Sequence, residues 1–263
     1  PHDSPTALLF ADSFNRYFEP ENLRAASAVL QAGGVKLAVA GEKGERRPLC
    51  CGRTFLSVGL VDRAREEAER LLRALYPFAA KGIPIVGLEP SCTLSLRDEI
   101  LGLIPGIESA TVAENTFTFE EFVVKAHGSG AFRNPFKAMP KTIKLHGHCH
   151  QKAHGVMSSV EEALALLPGS KLETINSGCC GMAGAFGYGA DTSAISLKMA
   201  ELELLPAVRA CEKDTIIVAD GTSCRHQVLE GAGKEALHSA RVMELALAAE
   251  DVGPEVGTKT GER

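Results

Sequence analysis

Apolar and polar positions along this chain follow two periods, and they do so twice in the same order. The run Ala7-Leu8-Leu9-Phe10 reads as a buried strand, with a turn after it at 11–16. Between 21 and 32, Leu23, Ala26, Val29 and Leu30 recur at helical spacing, and Gly33-Gly34 supplies a stop. A short apolar stretch at 35–40 precedes Cys50-Cys51-Gly52. A long helical pattern at 61–78 follows, then a β-branched strand at 83–88 and the turn Glu89-Pro90-Ser91-Cys92. The series then repeats. A strand at 142–145 leads into His146-Gly147-His148-Cys149, a helix at about 157–167 ends at Pro168-Gly169, and a short apolar segment covers 171–175. Cys179-Cys180-Gly181 comes next, then a helical pattern at 192–210, a strand at 215–219 and the turn Gly221-Thr222-Ser223-Cys224. Aligned this way, Ser13 faces Cys149, Asn15 faces Gln151 and Arg16 faces Lys152.

Strand, helix, strand, helix, strand, twice over, predicts an α/β fold of two pseudo-symmetric lobes, each a mostly parallel sheet flanked by helices. Such sheets collect ligands outside the carboxyl ends of their strands, which is where the cysteine motifs fall. The expected division is a first lobe at 1–100, a connector at 101–141, a second lobe at 142–250 and a polar, disordered tail at 251–263.

Composition narrows the function. The 263 residues are 45% hydrophobic, enough for a sizeable core. A formal net charge of −5 and the lack of Trp argue against nucleic acid. No membrane span or signal peptide is evident, so a reducing, cytoplasmic setting is expected for the eight cysteines, and structural disulfides are not. The chain begins at Pro1, which reads as a processed product or a piece of something longer.

Adjacent cysteines do not readily bridge each other, but both can offer thiolates to one soft metal centre. The second copy has four candidates, Cys149, Cys179, Cys180 and Cys224, the number that an iron–sulfur cluster or structural zinc requires. After its doublet comes a glycine-rich stretch in which Gly181 and Gly184 would let amide groups approach a negatively charged cluster. The same stretch does not match G-x-G-x-x-G, which disfavours a dinucleotide site. The first copy has only Cys50, Cys51 and Cys92, with Ser13 where the fourth thiolate would stand: a weaker site, empty or suited to zinc. Cys211, inside a helical pattern, reads as a buried inert thiol. His146, His148, His150 and His154 surround Cys149, and His226 follows Cys224. Of these, His148 and His226 are the possible metal ligands, and a hydrolytic H-x-H site is the competing reading. Glu19, Glu89 and Arg53 are polar residues near the first rim, with solvated or capping roles expected.

The stretches GLEPSCTLSLRDE (87–99), LHGHCHQKA (145–153), SGCCGMAGAFGY (177–188) and ADGTSCRHQ (219–227) resemble the paired cysteine-rich CCG domains of the heterodisulfide reductase B chain and the iron–sulfur component of glycolate oxidase. The resemblance is greater to the carboxyl-terminal part of fused FAD-linked D-lactate or D-2-hydroxyglutarate dehydrogenases, and it covers about 7–245. It implies a [4Fe–4S] cluster and electron transfer from a flavin to an acceptor. The FAD domain and ferredoxin-type Fe–S domain would lie elsewhere, with a cytoplasmic location or the inner face of a membrane and a quinone link. The alternative is a zinc-binding structural or docking domain of the same complex. The chain departs from the full repeat at Ser13, and at Ser95 and Gln227, which replace the last cysteine of each C-x-x-C.

Overall fold

The computed structural model describes residues 6–41 and 47–247; the tail expected at 251–263 lies outside the described residues. The first lobe runs β1 (Ala7–Phe10), α1 (Ser13–Tyr17), α2 (Pro20–Ala32), β2 (Leu37–Val39), α3 (Arg53–Ser57), α4 (Val61–Ala79), β3 (Ile85–Gly87) and α5 (Pro90–Ser95). It continues through α6 (Glu99–Leu103), α7 (Ile107–Glu114), β4 (Thr116–Thr118) and α8 (Phe119–Gly128). The second runs β5 (Thr142–His146), α9 (Cys149–Ala153), α10 (Met157–Ala165), β6 (Lys171–Thr174), a 3-10 turn (Phe186–Tyr188) and α11 (Ser193–Glu201). Then come α12 (Leu204–Arg209), β7 (Ile216–Ala219), α13 (Thr222–Ala232), β8 (Ala236–Leu237) and α14 (Ser239–Leu245).

The two sheets share one topology. Their orders are β2-β1-β3-β4 and β6-β5-β7-β8, with every pairing parallel. Phe10 stands opposite Gly87 as His146 stands opposite Ala219, so the internal alignment holds to the residue across the central strand pair.

Side chains alternate across each sheet with period two, which gives each sheet two cores. Ala7, Leu9 and Val86 of the first sheet and Ile143, Leu145 and Val218 of the second face one continuous core shared by both lobes. Leu8, Phe10 and Ile85 face an outer core with Leu71 and Leu75 of α4, together with Cys51 and Cys92. Ile217 and Ala219 face the matching outer core with Leu204, Val208, Cys180 and Cys224. Across the shared core α2 packs on α14, and α8 packs on α10. Because α2 corresponds to α10 and α8 to α14, these are the same contact made twice, as an isologous interface requires.

Three expectations change. The stretch 101–141 is more than a connector: β4 completes the first sheet, and α8, begun by a capping box between Thr118 and Glu121, enters the shared core. The helix expected at 192–210 divides between α11 and α12. Pro206 has no amide to offer the carbonyl four residues back, so a continuous helix would lose that bond. Cys211 therefore lies beyond the end of α12, half-buried rather than in a helix core, with its thiol donating to the Ala207 carbonyl at 3.2 Å.

A cysteine centre at the strand ends

In the second lobe three strand ends deliver four cysteines. Cys149 opens α9 just after β5, the Cys179-Cys180 doublet follows β6, and Cys224 sits in the first turn of α13 after β7. The sulfurs form a contact chain running Cys149, Cys179, Cys180, Cys224. The first lobe repeats it as Ser13, Cys50, Cys51, Cys92, with Cys51 and Cys92 sulfurs 3.3 Å apart and Ser13 bonded to Cys50. All eight cysteines are free thiols.

The glycine of each doublet has a backbone reason. Gly52 has φ +78 and Gly181 has φ +90, a region costly for other residues. A Cβ at Gly181 would stand 2.1 Å from the Ser196 carbonyl oxygen of α11, and one at Gly52 would stand 2.8 Å from the Ala64 carbonyl oxygen of α4. Only glycine lets the doublet lie flat on the following helix and turn its amide back to the sulfur. Gly181 N donates to Cys179 Sγ at 3.3 Å and Gly52 N to Cys50 Sγ at 3.4 Å. The second amide on Cys179 comes from Ala183, one residue before Gly184, and Cys180 receives the amide of Met182.

Electrostatics separate the lobes. Contacts with Cys149 and Cys180, helped by the amides of Gly181 and Ala183, hold Cys179 below the usual thiol range against its burial. The Cys180 contact, with His146 and His148 nearby, holds Cys224 well below that range, again against burial. Cys149 and Cys180 are raised by the same sulfur contacts and by burial. No sulfur of the first lobe is lowered. Cys50 is raised by Cys51 and by burial. Cys51 gains from Cys50, but the Cys92 contact and burial outweigh that. Cys92 gains from Cys51, yet burial and the carboxylates of Asp12 and Glu89 push it up to about 12. The difference traces to aligned positions: Asp12 stands where the second lobe has His148, and Phe10 where it has His146. Burial raises Asp12 itself to about 6 despite the bonds it accepts from Asn15 and Phe14.

The histidines divide by role. His148 caps α9, its Nδ1 accepting from His150 N at 3.1 Å, and its ring lies against Gly221 beside Cys224. His226 pairs through Nδ1 with Tyr188 Oη at 2.6 Å. His150 Nε2 meets the Arg53 guanidinium at 2.9 Å, and burial with that neighbour pushes its pKa down to about 4. His154 stands 3.9 Å from Asp98. His150 and His154 therefore tie the lobes together rather than line the sulfur pocket. Among the described residues, the cysteine-containing group with metal-ligand spacing is His146, Cys180 and Cys224, with ligand atoms within 4.8 Å of one another. Neither His148 nor His226 belongs to it. The signal for His146 was its place as the last residue of a strand, one step out of phase with the inward-facing Leu145.

Glu19 and Glu89 reach across the seam. Glu89 accepts from Ser91 N at the start of α5 and from Thr222 N at the start of α13, at 3.3 and 2.9 Å. Glu19 accepts from Thr222 Oγ1 and from Arg225 Nε, at 2.6 and 2.7 Å. Arg53 pairs with Glu99 as well as meeting His150. No helix among the described residues is long and apolar enough to cross a membrane.

The donor set fits a soft metal or iron–sulfur group: four sulfurs converge, two of them held toward thiolate, with amides aimed at sulfur. The chain is 24% identical over 242 residues to the C component of the anaerobic glycerol-3-phosphate dehydrogenase of Escherichia coli (strain K12), covering 91% of this chain and 58% of that protein. It is 29% identical over 238 residues to D-2-hydroxyglutarate dehydrogenase of Pseudomonas putida (strain KT2440), covering 90% of this chain and 22% of that protein. It is 30% identical over 179 residues to the D-2-hydroxyglutarate dehydrogenase of E. coli K12, covering 66% of this chain and 17% of that one. The chain thus spans well under two thirds of the length of each of these relatives. Residues 143–228, from β5 through the Cys224 helix, match the family model of the cysteine-rich CCG domain.

Proposed function

We propose that this chain is the iron–sulfur electron-transfer module of a flavin-linked dehydrogenase acting on a 2-hydroxy acid or a related hydroxylated substrate. The single observation that carries this reading is the convergence of Cys149, Cys179, Cys180 and Cys224 from three strand ends. A [4Fe–4S] cluster held by these sulfurs would supply a one-electron carrier. The oxidation of the hydroxylated carbon would take place on an FAD-binding domain or a separate chain, with a ferredoxin-type domain as a further electron partner. Sequence similarity to two kinds of dehydrogenase supports the class of partner. The chain's own contribution is positional. The doublet lies on α11, and α11 with the turn before it exposes Phe186, Tyr188, Ile195 and Met199 beside the doublet, an apolar surface for a redox partner.

In this reading the second lobe carries the working centre. The first lobe offers three sulfurs with raised pKa values beside two carboxylates, a poor setting for thiolate ligation. The test is iron, sulfide and zinc content with visible absorption and EPR, on anaerobically purified protein and two variants. Replacing Cys179 and Cys180 by Ser should abolish the EPR signal and most iron, while replacing Cys50 and Cys51 by Ser should leave both largely intact. A colourless, zinc-only protein would replace the redox reading with a structural one. Loss of signal from the first-lobe variant alone would reverse the assignment of the lobes.

A further inference from the structure

We propose that His146 is a protein ligand of the second-lobe centre, binding through Nε2 with Cys180 and Cys224 as the one non-sulfur ligand; a four-iron cluster has one terminal position per iron, so His146 takes the place of one of the remaining two cysteines. The inference rests on the reading of that lobe as the cluster site and goes beyond the cysteine set on which that reading depends.

His146 ends β5 and is wholly buried. Its Nδ1 is held at 2.8 Å by Ser177 Oγ, its Nε2 has no nitrogen or oxygen partner, and the ring's other polar contact is with the Cys224 sulfur. One ring nitrogen lies within 4.8 Å of the Cys180 and Cys224 sulfurs; with Nδ1 engaged, the nitrogen free to coordinate is Nε2. A buried polar atom left unpaired costs about 1–3 kcal/mol, and a thiol is only a weak partner, so a ring nitrogen facing the cluster of sulfurs is better satisfied by a metal bond. The arrangement is also that of a ligand-binding imidazole, whose second nitrogen is normally fixed by a neighbouring protein group. Ser177 lies in the doublet's own loop, and Lys152 Nζ pins that loop through the carbonyls of Ser177 and Gly178, so ring and doublet are positioned together.

The other histidines fall outside the group that His146 forms with Cys180 and Cys224. His238, equally buried, uses both nitrogens, Nε2 with the Leu88 carbonyl at 3.1 Å and Nδ1 with Ala240 N at 3.0 Å. His148, His150 and His226 are engaged with a backbone amide, Arg53 and Tyr188 respectively. Gln227, in the place of a further cysteine, gives its amide to Ser196 O and Oγ, both at 3.2 Å. In the first lobe the position of His146 is Phe10, which has nothing to coordinate with.

The experiment uses the full chain, reconstituted anaerobically with iron and sulfide, with its histidines labelled with nitrogen-15 in one sample and unlabelled in another. Iron and sulfide are measured first: a protein that takes up neither overturns the module reading and this proposal with it. On the loaded, reduced protein, pulsed EPR should show the strong nitrogen coupling of a directly bound imidazole, changed by the label. That coupling should be lost in His146→Gln and kept in His226→Gln. In His146→Cys the cluster should be retained at a lower midpoint potential, since a thiolate adds negative charge where a neutral imidazole stood. If loaded wild-type protein shows only the weak coupling of a hydrogen-bonded ring, or if the strong coupling survives His146→Gln, His146 is not a ligand, while the module reading stands on its iron and sulfide. If His146→Gln fails to fold, weak coupling in the labelled wild type still overturns the proposal, and a strong coupling is assigned by its loss in His146→Cys and its survival in His148→Gln and His226→Gln.

Discussion

Removing the Glu19 carboxylate should destabilise the whole chain, because it neutralises a buried arginine at the seam. Arg225 is 5% exposed, and Glu19 holds it with two oxygens, one on Nε at 2.7 Å and one on Nη2. Its remaining bonds go to the Ala219 carbonyl at 2.8 Å and Thr222 Oγ1 at 3.2 Å, neither of which carries charge. Leaving one partner of a buried pair alone costs roughly 3–5 kcal/mol. Two features set the value near the low end: the Glu19 side chain is 16% exposed, so water can reach the gap, and Glu89 and Asp220 remain as nearby negative charges. Glu19→Ala should therefore lose about 3 kcal/mol. With a urea slope of about 3 kcal/mol/M, that moves the midpoint down by about 1 M. Arg225→Met should cost less, because the freed Glu19 can turn to solvent, and the double variant should cost clearly less than the sum of the singles. The pH dependence has a defined sign. Burial would raise the Glu19 pKa, but hydrogen bonding and charge from Arg225, with the Thr222 hydroxyl, hold it below the usual carboxylate range. Its contribution is thus present above the ordinary carboxyl pKa of about 4.5 and lost as pH falls through the lower folded value. Wild type and Glu19→Gln should converge in acid. Urea titrations of the reduced protein, read by circular dichroism, provide the measurement. A Glu19→Ala loss under about 0.5 kcal/mol, or additive singles, would refute the account of the seam.

Gly181→Ala should lower the melting temperature by at least about 4 °C, since it combines a positive φ with a backbone collision. Gly184→Ala, with φ +69 but open space, should cost less; equal losses would mean that the collision is relieved without effect. Glu120, buried at the seam beside Asp220, is raised to about 8 mainly by burial. Its stabilising protonated form is fully present below about 4.5 and is lost as pH rises through about 8, so Glu120→Gln should flatten the stability profile across that window; denaturant titrations at several pH values measure it.

Much of the fold could be read from the sequence because its signals were local. The central strands β1 and β7 are continuous apolar runs and β5 alternates Ile143 and Leu145 with polar neighbours, and the residues after them include turns and cysteines at matched offsets. The fourth strand of each sheet could not be read. β4 is Thr-Phe-Thr and β8 is only Ala-Leu, too short to carry a period of two, and each exists because a neighbouring strand offers a parallel edge. The helix after the second doublet misled for the opposite reason. Ile195, Leu197 and Met199 have the composition of a core face, yet α11 exposes them. At the site, the cysteines were legible from spacing alone. The choice among histidines was not, because it turns on which ring stands among the sulfurs, and the rings are held in place by Ser177, Tyr188 and Arg53, remote in sequence.

The duplication has kept the scaffold and changed what stands around it. Both lobes retain the parallel sheet, the glycine that seats the doublet and the amide-to-sulfur bond. Three aligned exchanges alter the chemistry: Ser13 for Cys149, Asp12 for His148 and Phe10 for His146. Each removes a thiol or an imidazole from the first pocket. What that lobe retains is a set of carboxylates, and these serve its partner. Glu89 caps α5 in its own lobe and accepts from the first amide of α13, while Glu19 grips Arg225 one residue after Cys224. A negative charge at a helix N-terminus is worth about 0.3–1 kcal/mol, and more when partly buried. Placed on α13, it fixes the helix that presents the most deeply buried sulfur of the second centre. The lobe that lacks the second lobe's donor set thus supplies the carboxylates that hold α13, and the full chain with Glu19 and Glu89 both replaced by Gln should hold Cys224 less firmly even with every cysteine in place.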